Sequence, residues 1–161
     1  MGDGKGLVLR LCRSISHLPS LVSRSLMIGI IIVTHGRMGE ELLKCAESIV
    51  GRQPDVLVLG LEGNEGPAAL EARLVSAMEG FKGAAGVLVL TDMLGGTPCN
   101  VGLRQFRDPR FHYDLVTGVN LPMLISALTN RHYMPLPQLA QKLVDDVGRN
   151  ICRPLQKLKG A

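Results

Sequence analysis

Two short stretches of this sequence hold residue types that could transfer a chemical group. One is Thr34-His35-Gly36-Arg37-Met38-Gly39, and the other is Asp92-Met93-Leu94-Gly95-Gly96-Thr97-Pro98-Cys99-Asn100. A carboxylate such as Asp92, accepting the Nδ1–H of His35, would fix the imidazole tautomer and leave the Nε2 lone pair free to attack. It would also stabilise the positive charge that the ring acquires when Nε2 bonds to phosphorus. Gly95 and Gly96 let the backbone approach a ligand closely and offer consecutive N–H groups. Thr97 fits an N-cap and Pro98 the first helical position, so a helix is expected to start there and form an anion site suited to phosphoryl oxygens. The catalytic candidates are therefore His35 and Asp92, and the phosphate-binding candidates Gly36, Gly95, Gly96 and Thr97. Each has an ordinary structural reading taken singly: a loop histidine, a turn aspartate, a simple turn into a capped helix. Their convergence on one place is what favours phosphoryl transfer.

That convergence requires elements to position it. Ile28–Thr34 is a β-branched run expected to form a strand buried on both faces. Met38 to Val50 carries apolar residues at the spacing of one helix face, and Gly51 stops it. Val56–Leu61 reads as a second strand, and Pro67 opens a second helix that Gly80 and Gly83 punctuate. Val87–Thr91 is the third strand, with a helix from Pro98 to about Phe106 after it. Phe111–Thr117 is the fourth, with His112 inside it; Leu121–Leu128 is helical, and Leu139, Leu143, Val144 and Val147 mark a last amphipathic helix. Alternation of this kind predicts an α/β fold, a mainly parallel sheet covered on both faces with right-handed crossovers. The flavodoxin-like, doubly wound order 2-1-3-4 is expected, and Asn150–Leu158 reads as either a C-terminal antiparallel edge strand or a tail. In that order the crevice beyond strands 1 and 3 is the switch point where ligands bind. His35 and Asp92 lie just past those two strands.

Composition narrows the classes. The chain has 161 residues, 46% hydrophobic and 20% charged, which describes one globular domain rather than a disordered chain. No apolar run reaches the roughly 18 residues of a membrane span. The net charge of +4 is mostly local: residues 1–26 hold Lys5, Arg10, Arg13 and Arg24 against Asp3, and the remainder is close to neutral. With no recognisable motif either, nucleic acid is not an expected partner. Cys12, Cys45, Cys99 and Cys152 lack zinc or redox spacing, so no metal or cofactor is expected and the thiols suit a reducing cytoplasm. Residues 1–26 are basic and Ser-containing but have neither a clean apolar region nor a small-residue cleavage site. They are read as an extension outside the fold, with the domain at 27–158 and a tail at 159–161. Cys99 reads as a small buried residue, and Arg37 equally as a phosphate contact or a solvated arginine.

Three separated motifs also carry a resemblance. They are Thr34-His35-Gly36 followed by Met38-Gly39, Asp92 with Gly95-Gly96-Thr97-Pro98 and Asn100, and Val116-Thr117-Gly118-Val119-Asn120-Leu121-Pro122-Met123-Leu124. In that order the chain resembles the mannose family of enzyme IIA, from the phosphoenolpyruvate-dependent sugar phosphotransferase system. The similarity is in register from Met27 to about Leu128 and looser to Leu158. The resemblance implies a cytoplasmic phosphocarrier that takes a phosphoryl group on His35 Nε2 from phospho-HPr and hands it to an enzyme IIB. It implies that Asp92 orients His35, and that Thr97 with the neighbouring amides receives the phosphate. It further implies a homodimer that exchanges a C-terminal strand, here about Arg149–Lys157, and peripheral association with a membrane permease. Many relatives continue into a IIB domain; this chain ends at Ala161, so its acceptor is expected on a separate chain.

Rival readings share parts of the pattern. The phosphocarrier subunit of a dihydroxyacetone kinase usually has Ser after its histidine and lacks the Gly-Gly-Thr-Pro stretch. A histidine phosphatase would need arginine where Thr34 stands. A tetrapyrrole metal chelatase would need further ligands, and only His112 and His132 remain in the domain. A regulatory module read by its phosphorylation state would use the same His35 chemistry as a transport component.

Overall fold

The structure is a computed structural model that describes residues 27–155. The extension 1–26 and the last residues, 156–161, lie outside that range, and so does the expectation placed on the extension. Four strands form: β1 Gly29–His35, β2 Val56–Leu61, β3 Val87–Thr91 and β4 Tyr113–Thr117. All pairings are parallel, and the order is β2-β1-β3-β4, as the sequence predicted. Five helices alternate with them: α1 Met38–Val50, α2 Pro67–Glu79, α3 Thr97–Arg104, α4 Leu121–Asn130 and α5 Leu136–Asn150.

Burial follows the strand order. Central β1 and β3 are buried throughout, except for His35 at the end of β1. A strand with helices on both faces has no solvent side, so its residues need not alternate in polarity. The two faces separate along β1. Ile30 and Ile32 join Leu88, Leu90 and Val116 under α1, α4 and α5. Ile31 and Val33 join Val87 and Val89 under α2 and α3, with Leu70, Leu74 and Val101 from those helices. Each fully buried Ile or Leu contributes roughly 1.5–3 kcal/mol of transfer free energy. The two central strands therefore hold the sheet in place beneath the site.

Several expectations need correction. β4 begins at Tyr113, so His112 precedes the strand; its Nδ1 lies 3.1 Å from the Ala85 carbonyl. α3 ends at Arg104 and a 3-10 turn carries the chain to Arg107. The edge strand expected over 149–157 is not formed within the described residues. Arg149 and Asn150 close α5, and residues 151–155 add no strand. The helix thus takes the first two residues of the strand that the resemblance had implied.

At the pole opposite the crevice, one buried cation ties layers together. Arg131 is 1% exposed and donates to the carbonyl oxygens of Pro54 at 2.6 Å and Asp55 at 3.2 Å. Asp55 has φ +52°, uncommon for a non-glycine residue, and its carbonyl also accepts the Ile30 amide that starts β1. Burial disfavours the Arg131 charge and lowers its pKa, and the Asp55 charge offsets only part of that cost. Replacing Arg131 with Met would leave the Pro54 carbonyl without this donor and the Asp55 carbonyl with the Ile30 amide alone. Arg131→Met should lower unfolding stability by about 3 kcal/mol in urea titration, while His35 chemistry is retained.

Candidate functional site

The turn after β1 is built by Thr34 and Gly36. The buried Thr34 hydroxyl accepts the Gly39 amide at 2.9 Å, satisfying one of the orphan donors of the α1 amino end. Gly36 has φ +52°, and its amide donates to the Leu61 carbonyl at 2.9 Å. A residue with a Cβ would be strained there. Gly36 therefore shapes the turn, with its amide taken by the end of β2 rather than left for an anion.

β1 and β3 run side by side with Val33 opposite Thr91, so the next residues of both strands leave the sheet together. Asp92 Oδ2 accepts the His35 backbone amide at 2.7 Å and lies 2.8 Å from His35 Nδ1. Its other oxygen, Oδ1, accepts the Met93 amide at 2.9 Å. A carboxylate can only accept, so the bonded Nδ1 carries the proton and the neutral ring keeps its lone pair at Nε2. The His35 side chain is 47% exposed and that of Asp92 10%. The carboxylate is thus sheltered while the imidazole stays accessible. Burial pushes the Asp92 carboxyl up, but the amide of His35, the ring of His35 and the amide of Met93 outweigh it and hold the carboxyl below its ordinary value of 3.8. Asp92 is a carboxylate at neutral pH.

The loop Met93–Gly96 brings the α3 amino end to the ring. Gly95 has φ +77°, which fits the second central position of a type II turn, and the Gly96 amide closes that turn on the Met93 carbonyl at 3.4 Å. A Cβ at Gly96 would stand 3.0 Å from His35 Cε1, so only glycine lets the loop lie this close to the imidazole. The helix begins at Thr97, with Gly96 as its N-cap and Pro98 at the second position. Thr97 is thus one place further into the helix than the sequence reading put it. Gly96 is committed to the turn, so the free donors of the α3 amino end include the Thr97 amide and hydroxyl, for which no partner exists among the described residues. Unpaired donors at a helix amino end, with the helix dipole behind them, favour an anion.

The third motif closes the crevice from β4. The Val119 amide donates to the Thr91 carbonyl at 3.0 Å, and Asn120 caps α4 by accepting the Met123 amide at 3.0 Å. The structure therefore gathers His35, Asp92, Gly95, Gly96 and Thr97. Two contributors escaped the sequence reading, the Thr34 hydroxyl and Asn100, whose side chain donates to the Gly95 carbonyl at 2.9 Å. A polar residue one helical turn past a glycine pair was the available signal. Arg37 pairs with Glu40 at 3.2 Å and Glu41 at 3.5 Å, the solvated alternative of the two readings. Cys99 is buried. No group of His, Cys, Asp and Glu among the described residues could hold a metal, and no helix there is long and apolar enough to cross a membrane.

Comparison with known proteins agrees with this geometry. Residues 29–144 match the family described as PTS system fructose IIA component. The mannose-specific EIIAB component of Escherichia coli K12 is 33% identical over 129 residues, covering 80% of this chain but only 40% of that protein. The sorbose-specific EIIA component of Lacticaseibacillus casei is 31% identical over 115 residues, 71% of this chain and 82% of the relative. Among solved structures, the EIIA component from Streptococcus agalactiae superposes with a TM-score of 0.74 at 30% identity, over 81% of this chain and 99% of the other. The IIA protein associated with the fucose utilization operon of Streptococcus pneumoniae gives 0.74 at 27% identity, over 83% and 97%. With the family matched over most of the chain and the doubly wound sheet in place, this protein belongs to the mannose family of phosphotransferase-system IIA components.

Proposed function

We propose that this chain is a phosphocarrier in sugar uptake or its regulation, accepting a phosphoryl group from phospho-HPr on His35 Nε2 and passing it to an enzyme IIB on a separate chain. One observation carries the reading: Asp92 holds His35 Nδ1 at 2.8 Å while the ring stays half exposed next to the α3 amino end. The Nε2 lone pair attacks phosphorus as the donor's own P–N bond breaks, and the donor nitrogen leaves with that electron pair. His35 keeps its Nδ1 proton throughout, and Asp92 balances the positive charge on the ring. Thr97 and the amides at the α3 amino end receive the phosphoryl oxygens. Transfer to the acceptor reverses the same steps, which suits a carrier whose site binds the group without hydrolysing it. The cytoplasm is the compartment this chemistry implies, with peripheral association to a permease. A homodimer belongs to the same reading, and the open β4 edge of the sheet is the surface offered for it.

Incubation with phosphoenolpyruvate, enzyme I and HPr should give an acid-labile, base-stable phosphoryl group on the wild-type chain and none on His35→Ala. Labelling that persists in His35→Ala defeats the assignment. Asp92→Asn should slow transfer about a hundredfold with the fold intact, because an amide can hold the other tautomer and cannot balance the ring charge. Asp92 also makes stability depend on pH. Its folded-state value lies below the unfolded one, so its contribution is full above the unfolded value and is lost as pH falls through the folded value. The stability gap between wild type and Asp92→Asn should therefore be constant near neutrality and shrink below about pH 4 in acid titrations followed by circular dichroism.

A further inference from the structure

Asn100 lies one turn into α3 and its role is not explained by helix formation. Its backbone amide makes the first helical bond, to the Gly96 carbonyl at 2.9 Å, and its side-chain Nδ2 reaches back to the Gly95 carbonyl, also at 2.9 Å. The partner is a carbonyl oxygen, so the side-chain atom involved must be the donor. One residue therefore grips two successive carbonyls of the loop that lies against His35.

The Gly95–Gly96 peptide is otherwise weakly held. Its own turn bond, from the Gly96 amide to the Met93 carbonyl, is 3.4 Å, at the long limit for such a bond. Both flanking residues are glycines, for which a peptide flip meets little steric resistance. A trans peptide points its C=O and N–H in opposite directions, so whatever fixes the Gly95 oxygen also fixes the direction of the Gly96 amide. Gly96 lies so near the imidazole that an added Cβ would be 3.0 Å from Cε1. The Gly96 amide points to the Met93 carbonyl, so a flip would turn the Gly95 carbonyl against that oxygen, open the turn and release the loop that leads from His35 into α3.

Resting on the phosphocarrier reading above, we propose that Asn100 is a positioning residue of this site: its carboxamide commits the Gly95 carbonyl to α3 and keeps the Met93–Gly96 turn, and with it the first residues of α3, set against His35. Asn100 acts through the loop and does not touch the transferred group. Removing it takes no contact from the Nδ1–Asp92 pair and loosens only the turn that leads into the α3 amino end.

The test compares wild type with Asn100→Asp, which keeps the shape but has no donor, and Asn100→Ala, which removes the donor without adding charge. Phosphorylation is measured with phospho-HPr and with phosphoramidate, a small donor that needs no docking surface. The result expected is a fall of about tenfold in kcat with phospho-HPr in both variants, with KM unchanged. The phosphoramidate rate should fall by the same factor, and the Nδ1 proton signal of His35 should keep its wild-type shift in 15N–1H spectra. Wild-type rates in both variants overturn the proposal. So does a change confined to KM, a loss seen with only one donor, or a shifted Nδ1 signal, each of which places the effect elsewhere than the loop. Absence of His35 labelling in the wild-type chain would instead remove the phosphocarrier reading on which this one stands.

Discussion

A single carboxylate oxygen joins the two central strands at their ends. Asp92 Oδ2 accepts both the backbone amide and the ring Nδ1 of His35, so one atom fixes where the residue sits and how its side chain turns. The arrangement needs β1 and β3 to be neighbours although a whole strand and two helices separate them in sequence. It also needs them parallel, so that both deliver their next residue to the same edge. If either strand shifted by one position, the carboxylate would face the sheet rather than the imidazole. The buried apolar residues of β1 and β3 resist that shift, because a slip would move each of them to the other face of the sheet.

Around that bond the loops share out the remaining demands. Polar backbone released at the end of a buried strand must find a partner. Thr34 serves the Gly39 amide, Leu61 receives the Gly36 amide, and Val119 serves the Thr91 carbonyl. With those groups satisfied internally, the α3 amino end keeps donors to offer an anion. The site is thus polar where a phosphoryl group would lie and closed elsewhere by the chain's own bonds. Its reactive ring remains half exposed, as transfer between proteins requires.

Much of this could be read before any coordinates. The β-branched run before His35, the continuous apolar run before Asp92 and the helix spacing between them implied parallel central strands and their order, because a chain has few right-handed ways to cover such a sheet. The Gly-Gly-Thr-Pro stretch marked a helix start near the histidine to within one residue. Less legible were features that depend on competition between partners. Gly36 was a phosphate-binding candidate by its place beside His35, yet the end of β2 takes its amide. The strand that the resemblance implied over 149–157 was not legible in local pattern, and α5 runs to Asn150 with no strand after it in the described residues. Asn100 was visible only as a letter in a motif.

What the sequence determined by itself was the set of elements and the kinds of residue at their ends, because local propensity and apolar periodicity act over a few residues. It also determined the chemistry available, an imidazole, a carboxylate and a glycine-led helix start. Tertiary structure alone decided which donors were used up and which stayed free, since an amide's partner is chosen by proximity across strands rather than along the chain. It also decided that Nδ1 would be the protonated nitrogen, because that follows from a 2.8 Å contact between residues far apart in sequence.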